Sequence, residues 1–374
     1  MAQCSINYFI CENEVWIEGQ KILSFETFSS SNTRDHLAEN GELTIPIHSI
    51  AKLSSDSTPV TGRFMLDLDK YNIKVGSEIQ VKAKYKDLNI TGQRTEAISF
   101  EPVTVFDGFI KQINSGFPTT LILEDRCFIL RFGSVNKEWV QETQVTEGLK
   151  YCCGVANPAF EDYRKSQNLT RSIKPLNVSS DSSTSTFNMK VWKGVSPFQV
   201  VERIMDLYKI FVGITDGGDL YMGTGSTFPK KATVKLNTKI NVIERDIKPK
   251  NGMFENYYVE ANAYDSNGEK IKAVAGDKEK ASVKLKLGYR PIKTQEGLDA
   301  FAKNAWEGLR STTNSGTITT MLYPEVKLFD YVEYTDTLLP ELSNNFYVIG
   351  TNINLSASGG YRRVLTVTDK RFEW

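Results

Sequence analysis

Histidine is almost missing from this chain: His36 and His48 are the only two among 374 residues. Proton-transfer sites use histidine more than any other side chain, so the stock of catalytic groups is thin. His48 lies in the alternating run Leu43-Thr-Ile-Pro-Ile-His and reads as a strand residue facing solvent. Cysteine is scarce as well. Cys4, Cys11, Cys127, Cys152 and Cys153 are odd in number and stand at no metal-binding spacing. They read as reduced thiols. No Cys-x-x-Cys, His-Glu-x-x-His or Gly-x-Ser-x-Gly occurs, so the spacing rules for zinc, metalloprotease and serine-hydrolase sites go unmet.

Excess charge is also absent. Lys plus Arg number 45 and Asp plus Glu number 45, which removes the electrostatic case for a general nucleic-acid binder. No stretch approaches the ~18–20 uninterrupted apolar residues that span a bilayer. The amino terminus has neither a basic start nor a signal-length apolar run, and Glu12 and Glu14 follow at once. The expectation is a chain folded in a cytoplasm, with no membrane insertion.

Two short motifs imitate ligand loops. Gly223-Thr-Gly225-Ser lacks the Gly-Lys-Ser/Thr ending of a phosphate loop and reads as a tight turn leaving a strand. Asp265-Ser-Asn267-Gly268 lacks the remaining ligands and closing glutamate of a calcium loop. Asn-Gly between alternating runs reads as a hairpin turn. No residue stands out as catalytic, cofactor-binding or metal-binding, no cofactor is implied, no interface residue can be named, and no enzyme is expected.

What the chain has in quantity is β pattern. Period-two or β-branched runs lie at 41–47, 77–85, 103–113, 119–124, 257–264, 282–287, 331–334, 346–354 and 363–368. Turn signals stand at Asp216-Gly-Gly-Asp219, Asp265-Ser-Asn-Gly268 and Ser358-Gly-Gly360. Two helices are predicted. One opens with a capping box, Ser196-Pro197-Phe198-Gln199, carries Phe198, Val201, Ile204, Met205 and Tyr208 on one face, and can end at Gly213. The other starts after Thr294 with Leu298, Phe301, Ala302, Ala305, Trp306 and Leu309 as its stripe. Both stripes read as core. The stretch Ser179-Ser-Asp-Ser-Ser-Thr-Ser-Thr186 reads as a polar loop, inside a weakly patterned region at about 126–195.

The strand-rich parts repeat one order of events. Asn72-Ile-Lys-Val-Gly-Ser-Glu-Ile-Gln-Val, Phe106-Asp-Gly-Phe-Ile and Leu121-Ile-Leu-Glu-Asp125 correspond to Pro324-Glu-Val-Lys-Leu-Phe-Asp-Tyr-Val-Glu-Tyr, Asn345-Phe-Tyr-Val-Ile and Leu365-Thr-Val-Thr-Asp369. Glu42-Leu-Thr-Ile and Gly316-Thr-Ile-Thr precede them. Duplicated antiparallel barrels are the physical reading.

These segments, with Trp192-Lys-Gly-Val-Ser-Pro-Phe-Gln-Val-Val-Glu-Arg-Ile, Asn241-Val-Ile-Glu-Arg-Asp-Ile-Lys-Pro-Lys and Gly359-Gly-Tyr-Arg-Arg-Val-Leu-Thr-Val, resemble the central hub proteins of bacteriophage tails and baseplates, and the hub half of type VI secretion spike proteins. The match runs over nearly the whole chain.

The resemblance implies a mainly β (α+β) chain with two related tail-tube-like antiparallel β-barrel domains and a middle α/β domain. The expected divisions are 1–125, 126–234 with the serine-rich loop, and 235–374 including a helix at 294–310. It implies a homotrimer whose six barrels form a pseudo-hexameric ring, adapting a hexameric tail tube to a trimeric spike or tip. Implied partners are the tail tube protein and the spike or tip protein on the two faces of the ring, and other baseplate proteins, with the middle domain projecting outward to neighbouring tail proteins and DNA or an effector only as cargo in the lumen. The implied place is the virion tail.

The chain ends at Trp374, soon after the last strand run, so the spike is expected to be a separate protein and no wall-digesting domain is expected here. One departure stands out. The family often has Gly-Asp before the lead strand of the second barrel, where this chain has Phe329-Asp330. The alternatives are a tail-tip protein that binds carbohydrate or degrades cell wall, given 16 Tyr, 20 Phe and 5 Trp, and the hub of a phage-like contractile injection or secretion system.

Overall fold

The computed structural model describes residues 6–22, 25–45, 68, 72–91, 94–99, 101–116, 118–137, 143–179, 186–187, 192–208, 210–223, 232–250, 256–265, 267–290, 292–310, 313–356 and 360–369. His48 and Cys4 lie outside these residues, as do 180–185 of the serine stretch and 224–226 after Gly223.

The amino-terminal part supplies β1 (Ile6–Ile17), β2 (Gln20–Ile22), β3 (Thr27–Thr33), β4 (Asn40–Ile45), β5 (Glu78–Thr91), β6 (Arg94–Ser99), β7 (Val103–Asn114) and β8 (Thr119–Asp125). Side chains alternate across a strand. Gly41, Leu43 and Ile45 of β4 therefore face inward together. They meet Ile79, Val81, Phe106, Leu121 and Leu123 in one core.

The middle part supplies β9 (Val135–Lys137), β10 (Thr143–Gln144), α1 (Val145–Ser166), β11 (Thr186–Phe187), β12 (Trp192–Val195), α2 (Pro197–Tyr208), β13 (Phe211–Ile214) and β14 (Leu220–Gly223). The capping box of α2 forms. The Gln199 amide donates to Ser196 Oγ at 3.3 Å, and the Ser196 amide donates to Gln199 Oε1 at 3.1 Å. Gly213 does not end that helix. The helix stops at Tyr208, and Gly213 sits inside β13, paired with Tyr221.

α1 is a 22-residue helix in the region that reads as weakly patterned. Its buried face is Val145, Gly148, Leu149, Cys152, Cys153, Ala156, Phe160 and Arg164, a helical stripe built largely from small residues. Its N-cap, Gln144, makes no side-chain cap bond, and Pro158 lies within it, so the capping signal that marks α2 is missing here.

The carboxy-terminal part supplies β15 (Val234–Asn237), β16 (Val242–Lys250), β17 (Tyr257–Tyr264), β18 (Lys270–Ala275), β19 (Val283–Arg290), α3 (Gln295–Arg310), β20 (Thr313–Thr320), β21 (Tyr331–Thr335), β22 (Asn344–Ser356) and β23 (Gly360–Thr368). β17, β18 and β19 form a separate three-stranded sheet. α3 covers it through Leu298 and Ala302 against Ala261, Ala263 and Ala273. The Asp265–Gly268 hairpin turn forms, with Gly268 at φ +84° and Asp265 Oδ1 accepting from the Asn267 amide.

The two outer parts are built on one plan. In the first, the Gly76 amide donates to the Ile110 carbonyl, the Ile110 amide to the Ser77 carbonyl, and the Ser77 amide to the Lys74 carbonyl. In the second, Phe329 donates to Val348, Val348 to Asp330, and Asp330 to Lys327. The side chains repeat too: the Lys74 amide bonds Ser77 Oγ and the Lys327 amide bonds Asp330 Oδ2. β7 bulges between Ile110 and Gln112, and β22 bulges between Val348 and Gly350. Gly41 pairs with Leu123 and with Ser30, while Gly316 pairs with Val367 and with Ile247. The Asp125 amide donates to Glu39, and the Asp369 amide donates to Asn314.

One feature differs. β1 runs antiparallel to β5, whereas β15 runs parallel to β21. Both parts belong to a single 14-stranded sheet whose main path is β16-β20-β23-β22-β3-β4-β8-β7-β5-β1-β2.

Candidate assembly interface

The two parts meet at an internal joint. β22 lies antiparallel on β3, from Gly350 opposite Thr33 to Ser356 opposite Thr27. The Arg34 amide extends the ladder to the Ile349 carbonyl at 3.1 Å. Ile353 and Leu355 of β22 enter the first part's core with Leu322 and Tyr361. Strand pairing and apolar burial together hold the joint.

A cleft of about 840 Å³ opens beside it. Its walls come from all three parts, among them Phe106 and Asp107, Phe211 and Tyr221, and Phe329 and Arg363. The Phe211 and Phe329 rings lie 3.8 Å apart between centroids. Arg363 is buried and donates to the Val326 carbonyl. Burial pushes the Glu39 carboxyl upward, against the pull of a Ser30 hydrogen bond and the Arg363 charge. Asp125 is pushed up to about 8, chiefly by burial. The amides of Glu39 and Cys127 donate to it, and the Glu39 charge opposes its ionisation. Burial also raises Asp330. Asp125, Asp330 and Arg363 lock strand ends together, since their hydrogen bonds go to the backbone amides of Glu39, Cys127 and Lys327 and to the Val326 carbonyl.

The middle part is fixed to the first by two devices. Phe109 of β7 stands edge-on to Phe160 of α1 at 4.9 Å. Arg164 of α1, almost fully buried, grips Glu18 through Nη1–Oε1 at 2.9 Å and Nη2–Oε2 at 3.1 Å. Its remaining bonds go to the Gly76 and Arg171 carbonyls.

Several strand edges and loops stay uncovered. β16 pairs with β20 on one side only, among the described residues. β7 pairs with β5 through Val103–Phe109, Ile110 bonds to Gly76 and Ser77, and beyond Ile110 that side has no partner among the described residues. Ile240, Ile243, Leu338 and Leu339 are exposed, and a Thr238–Thr337 hydroxyl bond of 2.9 Å ties the loop that carries Ile240 to the one that carries Leu338 and Leu339.

No group of His, Cys, Asp and Glu able to hold a metal occurs among the described residues. His36 is exposed in a turn after β3. Cys11, Cys127, Cys152 and Cys153 are free, and burial raises Cys11 to about 11 and both Cys152 and Cys153 to about 12. A thiol held that far above neutrality is a poor nucleophile. Gly223 ends β14. No described helix is long and apolar enough to cross a membrane. The cleft residues were not legible beforehand, because they come from three distant stretches of chain and no local spacing connects them.

No protein-family model matches the sequence, and no curated protein does. Solved structures match along nearly the full length. The tail protein from Neisseria meningitidis MC58 aligns at TM-score 0.61 and 15% identity, covering 96% of this chain and 97% of that one. The 43 kDa tail protein of prophage MuSo2 from Shewanella oneidensis aligns at TM-score 0.57 and 14% identity, covering 95% and 96%. The likeness expected from the sequence thus holds at the level of fold: this chain has the fold of phage tail proteins.

Proposed function

We propose that the chain is a structural hub of a phage tail tip or baseplate. Three copies form a ring of six related β units that adapts a hexameric tail tube to a trimeric spike or tip. The observation that carries this reading is the repeated plan: the same turn, the same bulge and the same glycine recur in both outer parts. Closed symmetry needs repeating surfaces, and two near-copies per chain turn a threefold ring into a pseudo-sixfold one.

The divisions 1–125, 126–234 and 235–374 are the domains of this reading, and the middle one reaches neighbouring baseplate proteins. The tail tube and spike proteins are the axial partners, and DNA or an effector is cargo in the lumen. The role is non-enzymatic, and the place is the virion tail. Exposed Ile240 and Leu338 favour assembly, because grouped apolar side chains in water mark contact surfaces.

The test is native mass together with negative-stain imaging. A ring-shaped trimer is expected. A monomer at tens of micromolar that binds glycans would overturn the hub and favour a carbohydrate-binding tip protein.

A further inference from the structure

The internal joint between the two outer parts is a β-strand pairing of β22 on β3. It uses one strand edge from each part: the outer edge of β3, and the far half of β22 beyond its bulge. Each edge has a counterpart in the other part. Ser30 and Ile247 both pair with the conspicuous glycine of the next strand, Gly41 and Gly316 respectively, so β16 corresponds to β3. Gln112 and Gly350 each follow the bulge, so the far half of β7 corresponds to the far half of β22. Both counterpart edges are unpaired among the described residues. Each molecule therefore uses one edge of each kind internally and presents one edge of each kind outward. Edges of this kind pair readily with another chain.

We propose that β16 of one copy pairs antiparallel with the far half of β7 of the next copy, in the register of the internal joint. This rests on the ring reading above and adds its partner surfaces. The intrachain pair Asn352–Ser31 becomes Asn114 on one copy opposite Lys248 on the next. The occupant is a second copy of this chain, because only that partner offers the complementary edge at the rotation that the internal joint already embodies. Such a contact is head-to-tail, and the repeated rotation closes it into a ring.

Pro249 fits this arrangement. It takes the place of Asn32, two residues from Arg34, whose amide bonds β22, so by strand alternation its missing N–H faces outward. A proline on an edge discourages pairing with arbitrary strands. The matched edge loses a single ladder bond there, opposite Ile113, and keeps the others.

The experiment is disulfide trapping in the full chain. Asn114 and Lys248 are both exposed, and by the alternation set by Arg34 they form a non-hydrogen-bonded pair, whose Cα atoms lie about 4.5 Å apart. That separation is within disulfide reach. Asn114→Cys with Lys248→Cys should give covalent dimers and trimers on a non-reducing gel after mild oxidation. Each single variant should stay monomeric on that gel, as should Asn114→Cys with Lys270→Cys, a pairing that the register does not juxtapose. A wild-type trimer in solution without the Asn114–Lys248 ladder overturns this joint and leaves the ring reading standing. A ladder of equal strength in the Lys270 control overturns it as well. A wild-type monomer at tens of micromolar overturns both.

Discussion

Gly76 and Phe329 occupy the same position of the same turn, one in each outer part. Gly76 has φ +87° and Phe329 has φ +73°. Each amide donates across the sheet, from Gly76 to Ile110 of β7 at 2.8 Å and from Phe329 to Val348 of β22 at 2.9 Å. The left-handed region costs an L-residue roughly 1–2 kcal/mol and costs glycine little. The second copy tolerates that strain because the Phe329 ring packs on Phe211. The turn that uses Gly76-Ser77 in the first part is thus kept with Phe329-Asp330 in the second, by replacing backbone freedom with side-chain contact.

From this follows an inverted order of substitutions. Phe329→Ala loses the ring contact and keeps the strained backbone, so it should destabilise by about 2–3 kcal/mol. Phe329→Gly loses the ring but relieves the strain, and should cost only about 1 kcal/mol. Urea unfolding of the two variants measures the difference. Alanine at least as stable as glycine would refute the strain.

The paired glycines should respond unequally. A Cβ on Gly316 would collide with the Asp246 carbonyl, whereas on Gly41 its nearest neighbour would be the Ser29 carbonyl at 3.3 Å. Gly316→Ala should cost at least about 2 kcal/mol and Gly41→Ala about 1 kcal/mol or less, as overpacking against backbone scales with overlap. Thermal melts of both variants decide it.

The Arg164–Glu18 pair should behave as a buried ion pair that has lost a partner when either side is cut. Arg164→Ala leaves Glu18 uncompensated and strips donors from two carbonyls. A loss of about 3–5 kcal/mol is expected. Hydrogen exchange should show α1 opening before the β core. Equal protection of α1 in variant and wild type would contradict this anchor.

Stability should fall with rising pH across the range set by Asp125. Its folded pKa, about 8, lies above the ordinary value of 3.8. The folded state therefore holds its proton where the unfolded state has released it. The stabilisation is fully present below about pH 4, is lost progressively as pH rises toward 8, and then levels off. Glu39 is shifted in the same direction and steepens the trend. Denaturant midpoints between pH 5 and 8 report it. Asp125→Asn should flatten the profile, and an unchanged slope in that variant would show that other groups govern it.

Much of the fold was readable in the chain. Period-two runs located β4, β7, β8, β17, β22 and β23 closely, because alternation and strand geometry are the same physical fact. The capping box located α2, and the repeated motifs showed the order of the duplicated segments, while the exact counterparts, such as Ile110 with Val348, came from the shared hydrogen bonds and bulges. α1 escaped because its inward face uses Gly148, Cys152, Cys153 and Ala156, and even a buried arginine, in place of large apolar residues. The end of α2 was misjudged because Gly213 serves a strand and not a helix terminus.

Local chemistry alone thus determined that the chain is mainly β, that it repeats itself, and that its catalytic stock is poor. Those properties depend on residues near one another in sequence, where spacing carries the signal. Tertiary structure decided that β22 lies on β3, that Glu39, Asp125 and Arg363 gather beside that joint, and that β16 and the far half of β7 have an open edge among the described residues. Such facts depend on which distant edges pair, and pairing is chosen by burial and hydrogen bonding summed over the whole sheet.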